Sequence, residues 1–225
     1  MPRLPLTNPD AIALGPGMAL LPGRAGAEIL SAARDVLAAR PAAAMTTPGG
    51  KQMSVAMSSC GTLGWVTDRS GYRYAASDPQ TGLAWPAMPE PLRRLAASAA
   101  AASGFPAFAP EACLINVYGP AARLSLHQDR DEQDFTQPIV SVSLGRSALF
   151  RFGGTRRGEP TRSVTLDHGD VLVFGGPARL MFHGIDRLTG PLHESLGDSR
   201  INLTFRRVTA PRPGGICITS GLQSA

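Results

Sequence analysis

The feature that most constrains this chain is a series of short apolar or alternating runs between residues 112 and 208. They read CLINVYG, RLSLHQD, PIVSVSLG, ALFRFGG, RSVTLDHGDVLVFGG, ARLMFHGI and RINLTFRRV. Each run is bounded by Gly, Pro or Asp, and the runs follow one another at intervals of about 8–12 residues. Short strands at this spacing are typical of a β-sandwich or a jelly-roll barrel.

The sequence before residue 112 adds two helices and a turn-rich segment. The run 25–41 has apolar residues at helical spacing and stops at a proline, and 90–105 has a proline near its start and a glycine at its end. Residues 45–88 are rich in Gly, Ser, Thr, Met, Trp and Tyr, which favours short strands joined by turns. The 225 residues therefore predict one mainly β domain with flanking helices, an α+β protein.

Composition narrows the setting of the protein. The net charge is +5, which suits a polyanionic partner such as nucleic acid but occurs in many other proteins. Three widely separated cysteines, Cys60, Cys113 and Cys217, form no CxxC pair, so a reducing, cytoplasmic location is expected. The N-terminus has no apolar signal-peptide core, and no run approaches the roughly 20 apolar residues of a membrane span. We expect no membrane partner.

The segment LSLHQDRDE at 124–132 is the first candidate for a chemical site. Side chains two apart share one face of a strand, so His127, Asp129 and Asp131 would point the same way if the strand continued. One imidazole and two carboxylates on one face have few structural uses. The segment therefore predicts the beginning of a metal site.

The partner we select for this segment is His183, which is predicted to end the apolar strand ARLMFHGI. Taken alone, a histidine there is more often a hydrogen-bonded core residue. With His127 and Asp129 it completes a His-x-Asp…His pattern, the two-histidine, one-carboxylate triad of Fe(II) oxygenases. A structural zinc site would normally have four ligands. The other histidines, His168 and His193, are interpreted as turn and loop residues.

The strand RINLTFR carries a polar face opposite an apolar one. Arg200, Asn202, Thr204 and Arg206 alternate with apolar residues. If the polar face pointed into a barrel, two buried arginines would require an anionic ligand, and guanidinium groups match carboxylates well. A solvent-exposed face is the alternative. The run LINVY offers Asn116 and Tyr118, on one face of another strand, as further hydrogen-bonding partners.

These runs, together with the upstream segment GWVTDRSGYRYAASDPQTGLAWPAMP, resemble the bacterial AlkB family of Fe(II)- and 2-oxoglutarate-dependent DNA repair dioxygenases. The resemblance extends from about residue 45 to residue 208. It implies a double-stranded β-helix (jelly-roll) core and a nucleotide-recognition lid. The implied division is an N-terminal extension and helix (1–44), the lid (45–90), the dioxygenase core (91–208) and a C-terminal tail (209–225).

The resemblance also implies roles for residues at the metal. Three residues would hold Fe(II) and form the catalytic centre. Five would line the pocket for the co-substrate 2-oxoglutarate, and O₂ would bind beside it. The metal set is His127, Asp129 and His183, and the 2-oxoglutarate set is Asn116, Tyr118, Arg200, Asn202 and Arg206.

For the substrate, the resemblance implies a flipped-out base held under the lid. Five residues would bind the substrate strand or its damaged base: Trp65, Tyr72, Tyr74, Asp131 and Arg157. His127 would stack on the other face of the base. The alternative for the aromatic pair is ordinary core packing. Lys51 stands at the lid tip, where some family members have an aromatic residue.

The implied activity is oxidative demethylation of 1-methyladenine or 3-methylcytosine in single- or double-stranded DNA, with RNA as a further substrate. The products would be succinate, CO₂ and formaldehyde. Two alternatives remain at the level of the sequence: an Fe(II)/2-oxoglutarate hydroxylase acting on a protein or small molecule, and a nucleic-acid-binding barrel without catalysis. No feature demands a dimer, so a monomer is expected.

Overall fold

The computed structural model describes residues 11–210 of the chain. It contains two α-helices, fourteen strands and a short 3₁₀ helix at Gly176–Ala178. The helices are α1 (Ala27–Ala39) and α2 (Glu90–Ala102). The strands are β1 (Ile12–Gly15), β2 (Met18–Leu21), β3 (Ala43–Thr46), β4 (Gln52–Gly61), β5 (Gly64–Asp68), β6 (Gly71–Ala75), β7 (Ala112–Tyr118), β8 (Leu124–His127), β9 (Ile139–Gly145), β10 (Ser147–Phe152), β11 (Arg162–Leu166), β12 (Val171–Phe174), β13 (His183–Thr189) and β14 (Arg200–Arg206).

The largest sheet has eight antiparallel strands in the order β1-β2-β12-β9-β14-β7-β4-β3. Its central strands β9 and β14 are buried along their whole length. Both faces of these strands are therefore covered, which explains why a strand such as β9 is buried at its serines as well as at its valines.

One face of the large sheet is covered by the two helices. Buried residues of α1, such as Ile29 and Val36, and of α2, such as Leu92, pack in one apolar cluster with Leu203 and Phe205 of β14. Pro91 lies in the first turn of α2. Backbone N–H groups there have no partner within the helix, so the missing N–H of proline costs no hydrogen bond. The helices thus fix the large sheet from behind.

The opposite face is covered by a smaller sheet in the order β11-β10-β13-β8. A second apolar cluster joins the sheets: it contains Leu114 and Tyr118 from β7, Phe150 and Phe152 from β10, and Ile185 from β13. Two facing antiparallel sheets agree with the predicted jelly-roll core. A separate hairpin, β5-β6, stands beside them.

Two local predictions are wrong. Strand β8 ends at His127, so Asp129 and Asp131 lie in the loop that follows rather than on one strand face. His183 begins strand β13 instead of ending an apolar strand, because the preceding residues form the 3₁₀ helix and a turn. Apolar content identified the segment 178–185 but not the position of its turn.

The sheet also extends beyond the predicted core range. Strands β1 to β4 precede residue 91 and are nevertheless part of the eight-stranded sheet. The division at residues 44, 90 and 208 stays a prediction, and most of the predicted tail lies outside the described residues. Neither described helix is long and apolar enough to cross a membrane.

A glycine next to His183 permits β8 and β13 to approach each other. A Cβ atom at Gly184 would lie 2.4 Å from the carbonyl oxygen of Leu124 and 2.9 Å from that of Ser125. Because both neighbours are backbone, they cannot rotate away. We expect Gly184→Ala to lower the free energy of unfolding by about 1–3 kcal/mol, the usual cost of overpacking, measured by urea denaturation.

The matched control is Gly49→Ala, where a Cβ would meet no heavy atom within 4 Å. If both variants unfolded at the same urea concentration, close approach of the two strands would not depend on Gly184.

Candidate metal centre and its cleft

A cleft of about 530 Å³ lies between the two sheets and opens beside the hairpin. Its walls come from the large sheet, the small sheet, the hairpin and the loop after β8. The polar and aromatic residues that line it include Trp65, Tyr72, Asn116, Tyr118, His127, Asp129, Asp131, Arg157, His183, Arg200, Asn202, Thr204 and Arg206. Twelve of the thirteen sequence-predicted site residues are thus brought together here, Tyr74 being the exception.

Three side chains at the floor of the cleft could hold a metal ion. His127 and His183 are directly opposite each other in the β8–β13 pairing, with ring centroids 4.5 Å apart. Asp129 reaches back from the loop, its carboxylate 3.4 Å from His127 Nε2 and 3.9 Å from His183 Nε2. One ligand atom from each residue lies within 4.8 Å of the other two. This spacing suits three ligands on one side of an ion.

Both imidazoles are oriented by backbone carbonyls. His127 Nδ1 lies 2.9 Å from Ser125 O, and His183 Nδ1 lies 3.0 Å from Met181 O. A carbonyl can only accept, so each Nδ1 carries the proton and donates it. Each Nε2 lone pair is then directed toward Asp129 and the centre, as a metal-ligating imidazole requires.

The protonation states of His183 and Asp129 also favour binding of a cation. Burial lowers the pKa of His183 to about 4, so this ring is neutral at neutral pH. Burial would raise the pKa of Asp129, but the charge of Arg206 and the two histidines hold it well below its usual value. For His127, burial would lower the pKa, and the hydrogen bond and charge of Asp129 raise it overall. A neutral imidazole and an ionised carboxylate are the forms that bind metals.

Arg206 fixes the aspartate from behind. Its Nη2 and Nε donate to Asp129 Oδ2 at 2.7 and 3.1 Å, and both side chains are buried. The second carboxylate oxygen, Oδ1, remains directed at His127. Such support orients a ligand before the ion arrives.

The inner wall of the cleft has buried polar atoms without a hydrogen-bond partner, most of them arginine donors. Arg200 is completely buried and donates to Ser143 Oγ at 2.9 Å, while its Nε and Nη1 have no hydrogen bond among the described residues. Arg206 Nη1 and Asn116 Oδ1 are also unpartnered. Buried polar atoms normally have partners, so these groups indicate an absent polar guest. Two guanidiniums favour an anion, and the triad and wall together fit a metal with a carboxylate ligand beside it.

The solvent-exposed alternative for β14 is therefore wrong. All seven residues of this strand are buried; its polar face lines the cleft, and its apolar face packs toward the helices. Asn116 and Tyr118 of β7 join the same wall, and the Arg200 guanidinium lies 5.1 Å from the ring centroid of Tyr118.

The hairpin places an aromatic pair at the mouth of the cleft. The rings of Trp65 and Tyr72 stack, with centroids 5.6 Å apart and planes at 18°. Trp65 Nε1 donates to Asp131 Oδ2 at 2.8 Å. Tyr72 is half exposed, which argues against the core-packing alternative for this residue. Arg157 is exposed on the rim, with its guanidinium 4.9 Å from the ring centroid of Phe182.

Tyr74 was predicted to bind the substrate, but its side chain lies outside the cleft. It pairs with Trp65 across the hairpin, but it does not line the cleft. Its hydroxyl instead donates to Glu132 Oε1 at 2.6 Å, and burial raises the pKa of the phenol. Tyr74 thus anchors the hairpin rather than facing a guest in the cleft. Lys51 is exposed and does not line the cleft either.

Sequence reasoning missed two buried charges behind the triad, Glu132 and Arg179, which form an ion pair of 2.9 Å. Glu132 stands one residue after the predicted Asp131, and Arg179 lies four before His183. A charged residue in a polar loop is normally exposed, so no local pattern marks these as buried.

Known proteins resemble this chain in both sequence and fold. The model of the 2OG-Fe(II) oxygenase superfamily matches residues 17–206. The chain is 52% identical over 183 residues to the alpha-ketoglutarate-dependent dioxygenase AlkB of Escherichia coli (strain K12), covering 81% of this chain and 85% of that protein. It is 51% identical over 163 residues to the AlkB homolog of Caulobacter vibrioides (strain NA1000 / CB15N), covering 72% of each.

A similar fold occurs in the solved structure of OsALKBH1. The TM-score is 0.74 at 29% identity, and the match covers 88% of this chain and 99% of that one. The predicted mainly β fold is therefore confirmed by a solved relative.

The triad leads to a direct prediction about metal binding. Asp129→Asn removes the only negative ligand and leaves the Arg206 charge without its closest carboxylate. We expect the affinity for Co(II), a spectroscopic substitute for Fe(II), to fall by more than the roughly 10–100-fold that loss of an outer partner costs. Isothermal titration calorimetry would measure it.

Asp186→Asn is the control, since Asp186 lies on the same strand as His183 but does not line the cleft. If the two variants bound Co(II) with equal affinity, Asp129 would not be a metal ligand, and the ion would bind at another site.

Proposed function

This chain belongs to the AlkB family of the 2OG-Fe(II) oxygenase superfamily and is a 2-oxoglutarate-dependent dioxygenase, and on that premise we propose that it oxidatively demethylates alkylated bases in DNA. One observation carries the proposal: a stacked aromatic pair stands over a cleft whose floor is a His-Asp-His triad. A flat, unpaired base would lie between these rings and the triad. RNA is a further candidate substrate.

In this proposal, His127, Asp129 and His183 hold Fe(II). When bound, iron with 2-oxoglutarate activates O₂, so that one oxygen atom enters a methyl C–H bond and the other forms succinate as CO₂ is lost. The protein would supply three ligands from the floor of the cleft, so that an ion held there would face the cleft interior. Arg206 keeps Asp129 ionised and oriented throughout.

The unpartnered donors on the inner wall support a place for 2-oxoglutarate. We assign its distal carboxylate to Tyr118, Arg200 and Asn202, and its metal-proximal end to Asn116 and Arg206. Arg200 is completely buried, so an ion pair with a carboxylate there would be strong and would satisfy Nε and Nη1. The co-substrate would thus supply the negative charge and the hydrogen-bond acceptors that the buried arginines of this wall lack.

The damaged base would enter between Trp65 and Tyr72 on one side and His127 on the other. Stacking on an aromatic side chain contributes roughly 1–3 kcal/mol per base and accepts every base. Selectivity would come from Asp131. Its carboxylate accepts a bond from Trp65 in this structure and would accept one from the exocyclic amine of adenine or cytosine.

Charge favours the methylated forms. 1-Methyladenine and 3-methylcytosine are cationic, so the Asp131 carboxylate attracts them more than the neutral parent bases. They also pair poorly, which lowers the cost of extrusion from a duplex. After oxygen insertion, the N-hydroxymethyl group collapses to formaldehyde and the restored base. Arg157, exposed on the rim, would contact the phosphates of the substrate strand.

We further propose a monomer acting in the cytoplasm on single- or double-stranded DNA. The cleft of one chain already contains the triad, the arginines and the aromatic pair, so the proposed site requires no residue from a second copy. Cys60 and Cys113 stand opposite each other on β4 and β7 as free thiols, which fits a reducing compartment. A protein or small-molecule hydroxylase is the alternative, and the similarity to AlkB proteins does not favour it.

The proposal is tested by supplying Fe(II) and 2-oxoglutarate anaerobically, adding O₂, and assaying formaldehyde. We expect formaldehyde from single strands with 1-methyladenine or 3-methylcytosine, and none from unmethylated strands of the same sequence. We expect Asp129→Asn to release no formaldehyde, because it lacks a proposed Fe(II) ligand. Turnover of 2-oxoglutarate with a small hydroxylatable acid, but not with methylated strands, would instead establish the alternative.

The assignment of Arg200 gives a separate prediction. Arg200→Lys keeps the positive charge but loses the two-donor geometry of the guanidinium. We expect 2-oxoglutarate to bind on the order of tenfold more weakly, as for loss of one hydrogen bond to a charged group, with Co(II) affinity unchanged. Calorimetry on the Co(II)-loaded protein measures both. An unchanged 2-oxoglutarate affinity would contradict the assignment.

A further inference from the structure

A buried set of four charged side chains connects the triad to the hairpin, and the proposed reaction uses only part of it. The set comprises Asp129, Glu132, Arg179 and Arg206, which we call the charge bridge. All four are at most 9% exposed. Two carboxylates and two guanidiniums balance in charge, as buried ions must.

Glu132 lies at the middle of the charge bridge. Its Oε1 accepts a hydrogen bond from Tyr74 Oη at 2.6 Å and lies 3.3 Å from Arg206 Nε. Its Oε2 accepts from Arg179 Nη2 at 2.9 Å. One carboxylate oxygen is thus shared between the hairpin and the arginine that holds the metal-binding aspartate.

Arg179 fixes the backbone of the same loop. Its Nη1 donates to the carbonyl of Asp129 at 2.7 Å, and its Nε donates to that of Gln137 at 3.1 Å. With Glu132 accepting from the third nitrogen, every nitrogen of this guanidinium is used. The loop from Asp129 to Gln137 is therefore held at both ends by one buried side chain.

The hairpin meets this loop through one cross-strand pair. Trp65 and Tyr74 are direct partners on β5 and β6. Trp65 donates to Asp131, and Tyr74 donates to Glu132, the next residue. A base that binds Asp131 Oδ2 would replace the Trp65 bond, because Trp65 occupies that oxygen. The Tyr74 bond is partly buried, is made to a different carboxylate and does not have to break.

We propose that Glu132 is a positioning residue that holds the hairpin and the metal-binding carboxylate in one fixed relation, through Tyr74 on one side and Arg206 on the other. The inference rests on the proposed function, because the relation matters only if a base is held over the metal. The Tyr74 bond keeps the aromatic pair at a constant distance from the triad after the Trp65–Asp131 bond has been exchanged for the base.

The first test separates oxidation of 2-oxoglutarate from oxidation of the methyl group. In Tyr74→Phe the ring remains but the bond to Glu132 is lost. We expect saturating 1-methyladenine strands to yield about tenfold less formaldehyde per succinate, because small misplacements of a reacting group have large effects. Co(II) affinity is expected to stay within about twofold, less than loss of an outer ligand partner costs.

The matched control is Asp68→Asn. Asp68 forms an ion pair with Arg73 on the same hairpin and does not line the cleft. Asp68→Asn removes this ion pair from the hairpin and leaves the four side chains of the charge bridge unchanged. We expect the formaldehyde-to-succinate ratio to stay at the wild-type value. If Asp68→Asn reproduced the Tyr74→Phe result, general loosening of the hairpin would explain it, and the inference would be overturned.

The second test uses readouts that need no turnover. Glu132→Gln keeps the size of the side chain but removes its charge and places a donor next to Arg179 or Arg206. We expect Co(II) affinity to fall by about 10–100-fold, and the amides of 64–75 to exchange hydrogen faster. The double variant with Tyr74→Phe should exchange no faster than Glu132→Gln alone, since both changes remove the same connection.

Glu132→Asp distinguishes a positioning role from a charge role. It restores the charge but is too short to reach both Tyr74 and the arginines, so it should recover Co(II) affinity and not the amide protection. Unchanged Co(II) affinity in Glu132→Gln, or unchanged exchange at 64–75 in Tyr74→Phe, would refute the inference. If wild-type protein releases no formaldehyde from methylated strands, the proposed function fails, while the Co(II) and exchange results still decide the role of Glu132.

Discussion

The site depends on the pairing of β8 with β13, two short strands separated by 55 residues of chain. This pairing sets His127 opposite His183, and each ring is then turned by a carbonyl of its own strand or turn. Without that register no third ligand could complete a triad. Asp129 can do so because it lies just past the end of β8, where the chain leaves the sheet and the side chain is free to turn back.

Burial of charge organises the rest of the cleft. Carboxylates and guanidiniums are costly to remove from water unless they are paired. Asp129 and Glu132 are paired by Arg206 and Arg179, whereas among the described residues Arg200 has no carboxylate partner and keeps two nitrogens, and Arg206 one, without a hydrogen bond. The ion pairs make the region behind the candidate metal ligands rigid, and the unpartnered arginine nitrogens mark where an anionic guest would fit. The rule that a buried charge needs a partner therefore distinguishes the arginines that support the candidate metal ligands from the arginine that would bind the co-substrate.

Much of the fold and site could be predicted from local pattern. The alternation in RINLTFR correctly separates the polar face of β14 from its apolar face, and the helical spacing in 25–41 and 90–105 correctly predicts α1 and α2. Pattern failed where a strand ends. The alternating sequence pattern continues through LSLHQDRD, but the strand does not. Pairing with β13 stops at His127, so the residues that follow are in a loop.

The sequence by itself determined the mainly β architecture, the identity of the metal-binding residue types and the arginine-lined face, because periodicity and residue chemistry are local properties. Only the tertiary structure decided that Tyr74 turns away from the cleft toward Glu132, and that Glu132 and Arg179 are buried between the hairpin and the triad. Whether a charged side chain faces water or a partner depends on which distant segments pack beside it, and no local pattern encodes that.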